Sequence, residues 1–164
     1  MAISDTDIKL LASTNGLGGA ITATELTSNS LHNLFDAVSG AEASAGDTEY
    51  RAFYIKNEHA TLTWQNVKVW IQSNTTSTDD TLTIGLDLAG VISTGAGDSI
   101  ADESTAPDPA VTFSTADGAG NALTIGDMAA GSYILIWVKR VVSSSAAAVS
   151  ANAATLGWTG DTEA

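Results

Sequence analysis

The chain has no cysteine. A disulfide framework, a thiol nucleophile and a cysteine-bound zinc are therefore excluded. Only six Lys and Arg stand against 19 Asp and Glu, for a net charge of −13. So few basic residues do not make a face that neutralises a phosphate backbone, and no nucleic-acid partner is expected. No apolar run reaches the length of a membrane-spanning helix, so no membrane partner is expected either. Charged residues are 15% of the chain and aromatics 6%. Thr, Ser, Asn and Gly must supply much of the polar surface, and alanine carries much of the hydrophobic share. With 15 glycines and two prolines, the composition suits a β-rich protein with many turns. Its 164 residues fit one domain that needs no metal or disulfide staple.

The start of the chain, Met1 to Asp5, lacks a basic segment followed by an apolar run. Synthesis and folding in a cytoplasm are expected from that.

The segment 46–71, GDTEYRAFYIKNEHATLTWQNVKVWI, is the most informative. Tyr50–Lys56 alternates Arg51, Phe53 and Ile55 against Tyr50, Ala52 and Tyr54. Trp64–Gln72 alternates Val67, Val69 and Ile71 against Asn66, Lys68 and Gln72, with Trp64 and Trp70 expected on the latter face. Period-two alternation with aromatic and β-branched residues predicts two strands, joined as a hairpin by the polar turn Asn57-Glu58-His59. Thr81–Leu88 alternates in the same way, and Ser132–Val142 (SYILIWVKRVV) is apolar on both faces, as a central strand is. Short strands are predicted at Asp7–Ala12, Ala20–Glu25, Val111–Phe113, Ala122–Ile125 and Ala154–Trp158. Gly40–Asp47 and Ser93–Pro109 read as loops, and Ala146–Ala154 as a loop or helical turn. Seven or so short strands without a long helix predict an all-β fold, an antiparallel β-sandwich of immunoglobulin-like or jelly-roll-like connectivity. The expected division is an extended N-terminal arm over 1–48, with its linking loops, and a sandwich over 49–164. The arm is expected to lie on the sandwich or on a neighbouring subunit.

No catalytic fingerprint occurs: G-x-S-x-G, H-E-x-x-H, the P-loop and the dinucleotide motif are all missing. His32 and His59 read as surface or turn residues. No catalytic residue, cofactor or metal is assigned. Nine acids and no base lie between Lys68 and Lys139, which reads as an acidic solvated surface. Sharper readings are a docking face for a basic partner, or oxygen ligation of calcium by Asp98, Asp102 and Glu103 or by Asp117 and Asn121, though EF-hand spacing is missing. Trp64, Trp70, Trp137, Tyr50, Tyr54 and Tyr133 form either buried contacts or an exposed sugar-binding platform. Arg51 shares a face with Phe53 and Ile55, and is the best candidate for a buried structural ion pair.

Five stretches carry a resemblance: GGAITATEL at 18–26, LHNLFDAVSGAEASAGDTEYRAFYIKN at 31–57, NVKVWI at 66–71, ADESTAPDPAVTF at 101–113 and LTIGDMAAGSYILIWVKR at 123–140. Their wording resembles a recurrent family of tailed-bacteriophage virion structural proteins, over most of the chain. The resemblance implies a non-enzymatic particle component, most of all a capsid decoration (cement) protein. Such a protein binds the outside of the major capsid protein shell as a homotrimer and stabilises the head. The implied location is the virion, at the capsid surface. Alternatives are a tail, neck or baseplate component, or a virion-displayed carbohydrate-binding adhesion module. Ile8, Leu10, Leu11, Leu31, Leu34 and Phe35 are the candidate contacts to capsid or neighbouring subunit.

Overall fold

A computed structural model describes residues 2–28, 30–150 and 152–162. Nine strands lie among them: β1 (Ile8–Ser13), β2 (Gly18–Glu25), β3 (Asp47–Asn57), β4 (Trp64–Ser73), β5 (Asp80–Leu86), β6 (Ala96–Ser99), β7 (Leu123–Met128), β8 (Tyr133–Val142) and β9 (Thr155–Thr162). One short helix, α1, spans Gly40–Ala45. The strands form two antiparallel sheets, of order β5-β8-β3-β1-β2-β6 and β7-β4-β9. The fold is an all-β sandwich of six strands against three.

The centre of the larger sheet is the ladder between β3 and β8, unbroken from Asp47↔Val142 to Lys56↔Tyr133. Alternation sends Phe53, Ile55, Ile134, Ile136 and Val138 to the inner face. There they meet Trp64, Val67, Val69, Ile71 and Met128 of the smaller sheet. Burying each such side chain stabilises the fold by roughly 1.5–3 kcal/mol. The opposite face carries Ala52, Tyr54, Leu135 and Trp137, which are buried as well. That is why β8 reads as apolar on both sides.

The cover on this outer face is the chain from 87 to 114, a belt that crosses the sheet and returns. It leaves β5 at the sheet edge, and Ile92 pairs with Tyr133. It reaches β6, which pairs with β2 on the far edge. It comes back past Glu103, whose carbonyl accepts the Tyr50 amide at 2.7 Å. Val111 and Phe113 pack on the outer cluster, and Ser114 closes a two-bond bridge with Ile84 of β5. Glycine lets the belt lie close. A Cβ on Gly97 would stand 2.8 Å from the Leu135 side chain, and one on Gly85 would stand 2.9 Å from Val111. The Tyr54 hydroxyl accepts the Gly97 amide at 2.9 Å, and the Tyr133 hydroxyl donates to the Gly95 carbonyl at 3.0 Å.

Several expectations change. Val111–Phe113 is not a strand, and the loop expected over 93–109 contains β6. β3 and β4 are not a hairpin: β3 pairs with β1 and β8, while β4 pairs with β7 and β9. The turn after β3 is a crossing between sheets. The buried Asn57 side chain fixes it by donating to the Leu62 and Met128 carbonyls, both at 2.9 Å. The expected extended arm contains two strands of the larger sheet, β1 and β2. β1 lies between β3 and β2, with Leu11 opposite Tyr54 and Ile8 opposite Asn57. The expected boundary near residue 48 therefore falls inside one sheet system. Gly40–Ala45 is a helical turn rather than a loop, because Ser39 and Glu42 form a reciprocal capping box.

Candidate functional site

The inner face ends, beyond Phe53 and Val138, in charge. Glu49 and Arg51 project from β3 on the same side as Phe53, and Arg140 stands opposite Glu49 on β8. Arg140 forms an ion pair with Glu49, and both are buried, with side chains 7% and 2% exposed. Its Nη1 donates to the Asp36 carbonyl at 2.9 Å, its guanidinium carbon lies 4.7 Å from the centre of the Phe35 ring, and Nη2 is 3.7 Å from the Asp36 carboxylate. Arg51 pairs with Glu103 of the belt, in a shallower place. The best candidate for a buried pair was therefore on the right strand and face, but the deeper pair is Glu49–Arg140. Each residue stands near the end of an apolar strand, but only the register of the ladder brings them opposite one another.

Five carboxylates crowd here. Oxygens of Asp36, Glu49 and Glu103 lie within 4.8 Å of one another, and so do those of Glu42, Asp47 and Glu49. Two guanidiniums, of Arg51 and Arg140, face them. The Glu49 carboxyl is raised above its ordinary value, foremost by burial; Arg140 pulls it down, and Glu103 and Asp47 push it up. This node ties three separate stretches together: the strap 31–45, the β3–β8 ladder and the belt.

A second polar node lies under the belt. The buried Asp87 accepts the Trp137 indole N–H at 2.9 Å and the Ala89 amide at 3.2 Å. It anchors the start of the belt to β8. The other anticipated groups do not converge. His32 is exposed, and His59 Nδ1 accepts the Thr61 and Leu62 amides at 3.2 and 3.0 Å within the crossing turn. Asp102 accepts the Ser104 and Thr105 hydroxyls at 2.9 and 2.7 Å, and Asp117 accepts Asn121 Nδ2 at 2.7 Å. Trp64, Trp70, Trp137, Tyr54 and Tyr133 are buried, so they present no platform to a sugar.

Of the six anticipated contact residues, Ile8 and Leu11 are buried in the chain's own core. Leu10, Leu34 and Phe35 are half-buried against it. Ile8 and Leu11 thus serve the chain's own core, while Leu10, Leu34 and Phe35 divide their surface between core and solvent. Leu31 alone is well exposed, at 78%. Family models, curated proteins and solved structures yield no match to this chain.

Proposed function

We propose that this chain is a non-enzymatic structural component of a tailed-phage particle, a decoration protein that binds the outside of the capsid shell, as a trimer. The observation that carries the reading is where the resembling stretches meet. The phrase at 31–57 supplies Phe35, Asp36, Glu42, Asp47, Glu49 and Arg51; the phrase at 101–113 supplies Glu103; and the phrase at 123–140 ends in Arg140. These residues form one node, so the wording that resembles virion proteins is also the wording that organises this fold.

Supporting features are a layered sandwich whose aromatic residues are largely spent on packing, an acidic surface, and Leu31 standing out from the strap. Capsid attachment through many weak copies gains from multivalency, since a second contact on one assembly forms at high effective concentration. The test is the stoichiometry of the chain in purified particles, by quantitative mass spectrometry against the major capsid protein. The expected result is hundreds of copies, near one per capsid subunit. A handful of copies would move the protein to tail, neck or baseplate. Absence from particles would end the reading.

A further inference from the structure

We propose that residues 34–45 of the strap close onto the sandwich with uptake of a proton at the Glu49 carboxylate, so that their docking tightens as pH falls and loosens as pH rises. The argument begins with how lightly the strap is held. Between β2 and α1 it forms no regular element, and its surface is largely exposed. Its ties include the Arg140 contacts to Asp36 and Phe35, the half-buried Leu34 and Phe35 against the core, and backbone bonds that the Ser44 and Ala43 carbonyls accept from Ser145 and Ala146 at 3.3 and 2.9 Å. Segments with few buried apolar contacts open at low free energy.

Closure places charge on charge. The strap brings Asp36 and the Glu42 of α1; the sandwich already holds Asp47 and Glu49 on β3 and Glu103 on the belt. Facing them are Arg140 on β8 and Arg51 on β3. Five acids against two bases leave an excess of negative charge in a partly dry site. Every carboxylate the strap brings, and the water it displaces, makes a charged Glu49 harder to hold closed than open. The raised Glu49 carboxyl, with burial as its main cause, agrees in sign. The closed state therefore binds the proton more tightly, and by linkage the proton favours closing. The rival arrangement has Glu49 acting only as the counter-ion that anchors Arg140; loss of its charge then frees the strap.

The two are separated on the full chain by NMR. Side-chain carboxyl shifts follow the titration of Glu49. Amide exchange of residues 34–45, corrected for its intrinsic pH dependence, follows closure. The expected result is loss of protection over the same pH range in which Glu49 ionises, and protection that no longer changes over that range in Glu49→Gln. Should Glu49→Gln not fold, Asp47→Asn removes a repelling charge beside Glu49 and should move the transition to lower pH. Protection that is flat while Glu49 ionises, an open strap in Glu49→Gln, or an unmoved transition in Asp47→Asn would each overturn the proposal.

Discussion

Trp137 donates its indole N–H to the Asp87 carboxylate at 2.9 Å, and both residues are sealed beneath the belt. One strand of the central ladder is thereby fastened to the start of the loop that covers it. Asp87→Ala would leave the indole donor buried without an acceptor and remove the partner of the Ala89 amide. An orphaned buried donor costs about 1–3 kcal/mol. Chemical denaturation should show a loss at the upper end of that range or above for Asp87→Ala, and a smaller one for Asp87→Asn, which keeps an acceptor oxygen. Equal stability in all three proteins would show that water replaces the carboxylate.

Gly18 and Gly118 share a left-handed backbone, with φ of 78° and 79°, but differ in surroundings. A Cβ on Gly18 would fall 2.1 Å from the Asp98 carbonyl oxygen and 2.9 Å from the Trp137 ring, whereas nothing lies within 4 Å of one on Gly118. Gly118→Ala should therefore lose about 1–3 kcal/mol, from backbone strain alone. Gly18→Ala must push β6 off β2, and its loss should exceed about 3 kcal/mol. Thermal melts of the two variants compare them directly, and similar melting temperatures would mean that the β2–β6 edge yields freely.

Removal of residues 1–30 should abolish soluble folding, because it takes β1 and β2 from the larger sheet and strands β6 without a partner. An independent arm would come away cleanly, and the circular dichroism of the remaining chain would then stay that of a folded β-protein. Ile136→Asp should be equally damaging, since it sets an unpaired charge at a fully buried position of β8.

The central strands were legible because their alternation is local. Tyr50–Lys56 falls within β3, which begins three residues earlier, Ser132–Val142 matches β8 to one residue, and the two faces assigned to β3 are the two observed. Pairing was less legible, because it depends on residues far apart in sequence. β3 and β4 look like a hairpin from their spacing, but Asn57 binds carbonyls at 62 and 128 and turns the chain into the other sheet. β1 looked like part of an arm because six residues do not announce two neighbours. The short β6 lay hidden in a Gly- and Asp-rich loop, its conformation imposed by β2 and by Tyr54. At the charged node, Arg51 could be singled out from its face on β3. The partnership of Glu49 with Arg140, 91 positions apart, needed the ladder register.

Leu31 separates external from internal roles in the strap. It is exposed, while Leu34 and Phe35 are packed on the core. Leu31→Ser should leave the denaturation midpoint within about 0.5 kcal/mol of wild type, as surface substitutions do. On the decoration reading it should also weaken rebinding to stripped particles, measured by co-sedimentation. Undiminished rebinding would remove Leu31 from the contact.

Stability should carry a pH signature of opposing carboxylates. Asp7 and Asp102 lie below their ordinary value of 3.8, Asp7 through bonds from the Ser4 backbone and hydroxyl and Asp102 through the Thr105 and Ser104 hydroxyls. A lowered folded value means that the unfolded chain binds the proton more readily. Their contribution is then full above 3.8 and is lost as pH falls through the folded values. Glu49 has the reverse sign. Its folded value stands above the ordinary 4.5, so the native state binds the proton more readily, and stability falls as pH rises from 4.5 through the folded value. Between 3.8 and 4.5 neither loss is complete, and these three groups together favour the fold most. Denaturant midpoints measured along a pH series should fall on both sides of this window. General repulsion within a chain of net charge −13 also lowers stability as pH rises, so the contribution of Glu49 is isolated by comparison. The Glu49→Gln protein should show a shallower decline above 4.5 than wild type, while its decline below 3.8 is unchanged. Parallel curves above 4.5 would assign that decline to the surface carboxylates and leave Glu49 without a part in it.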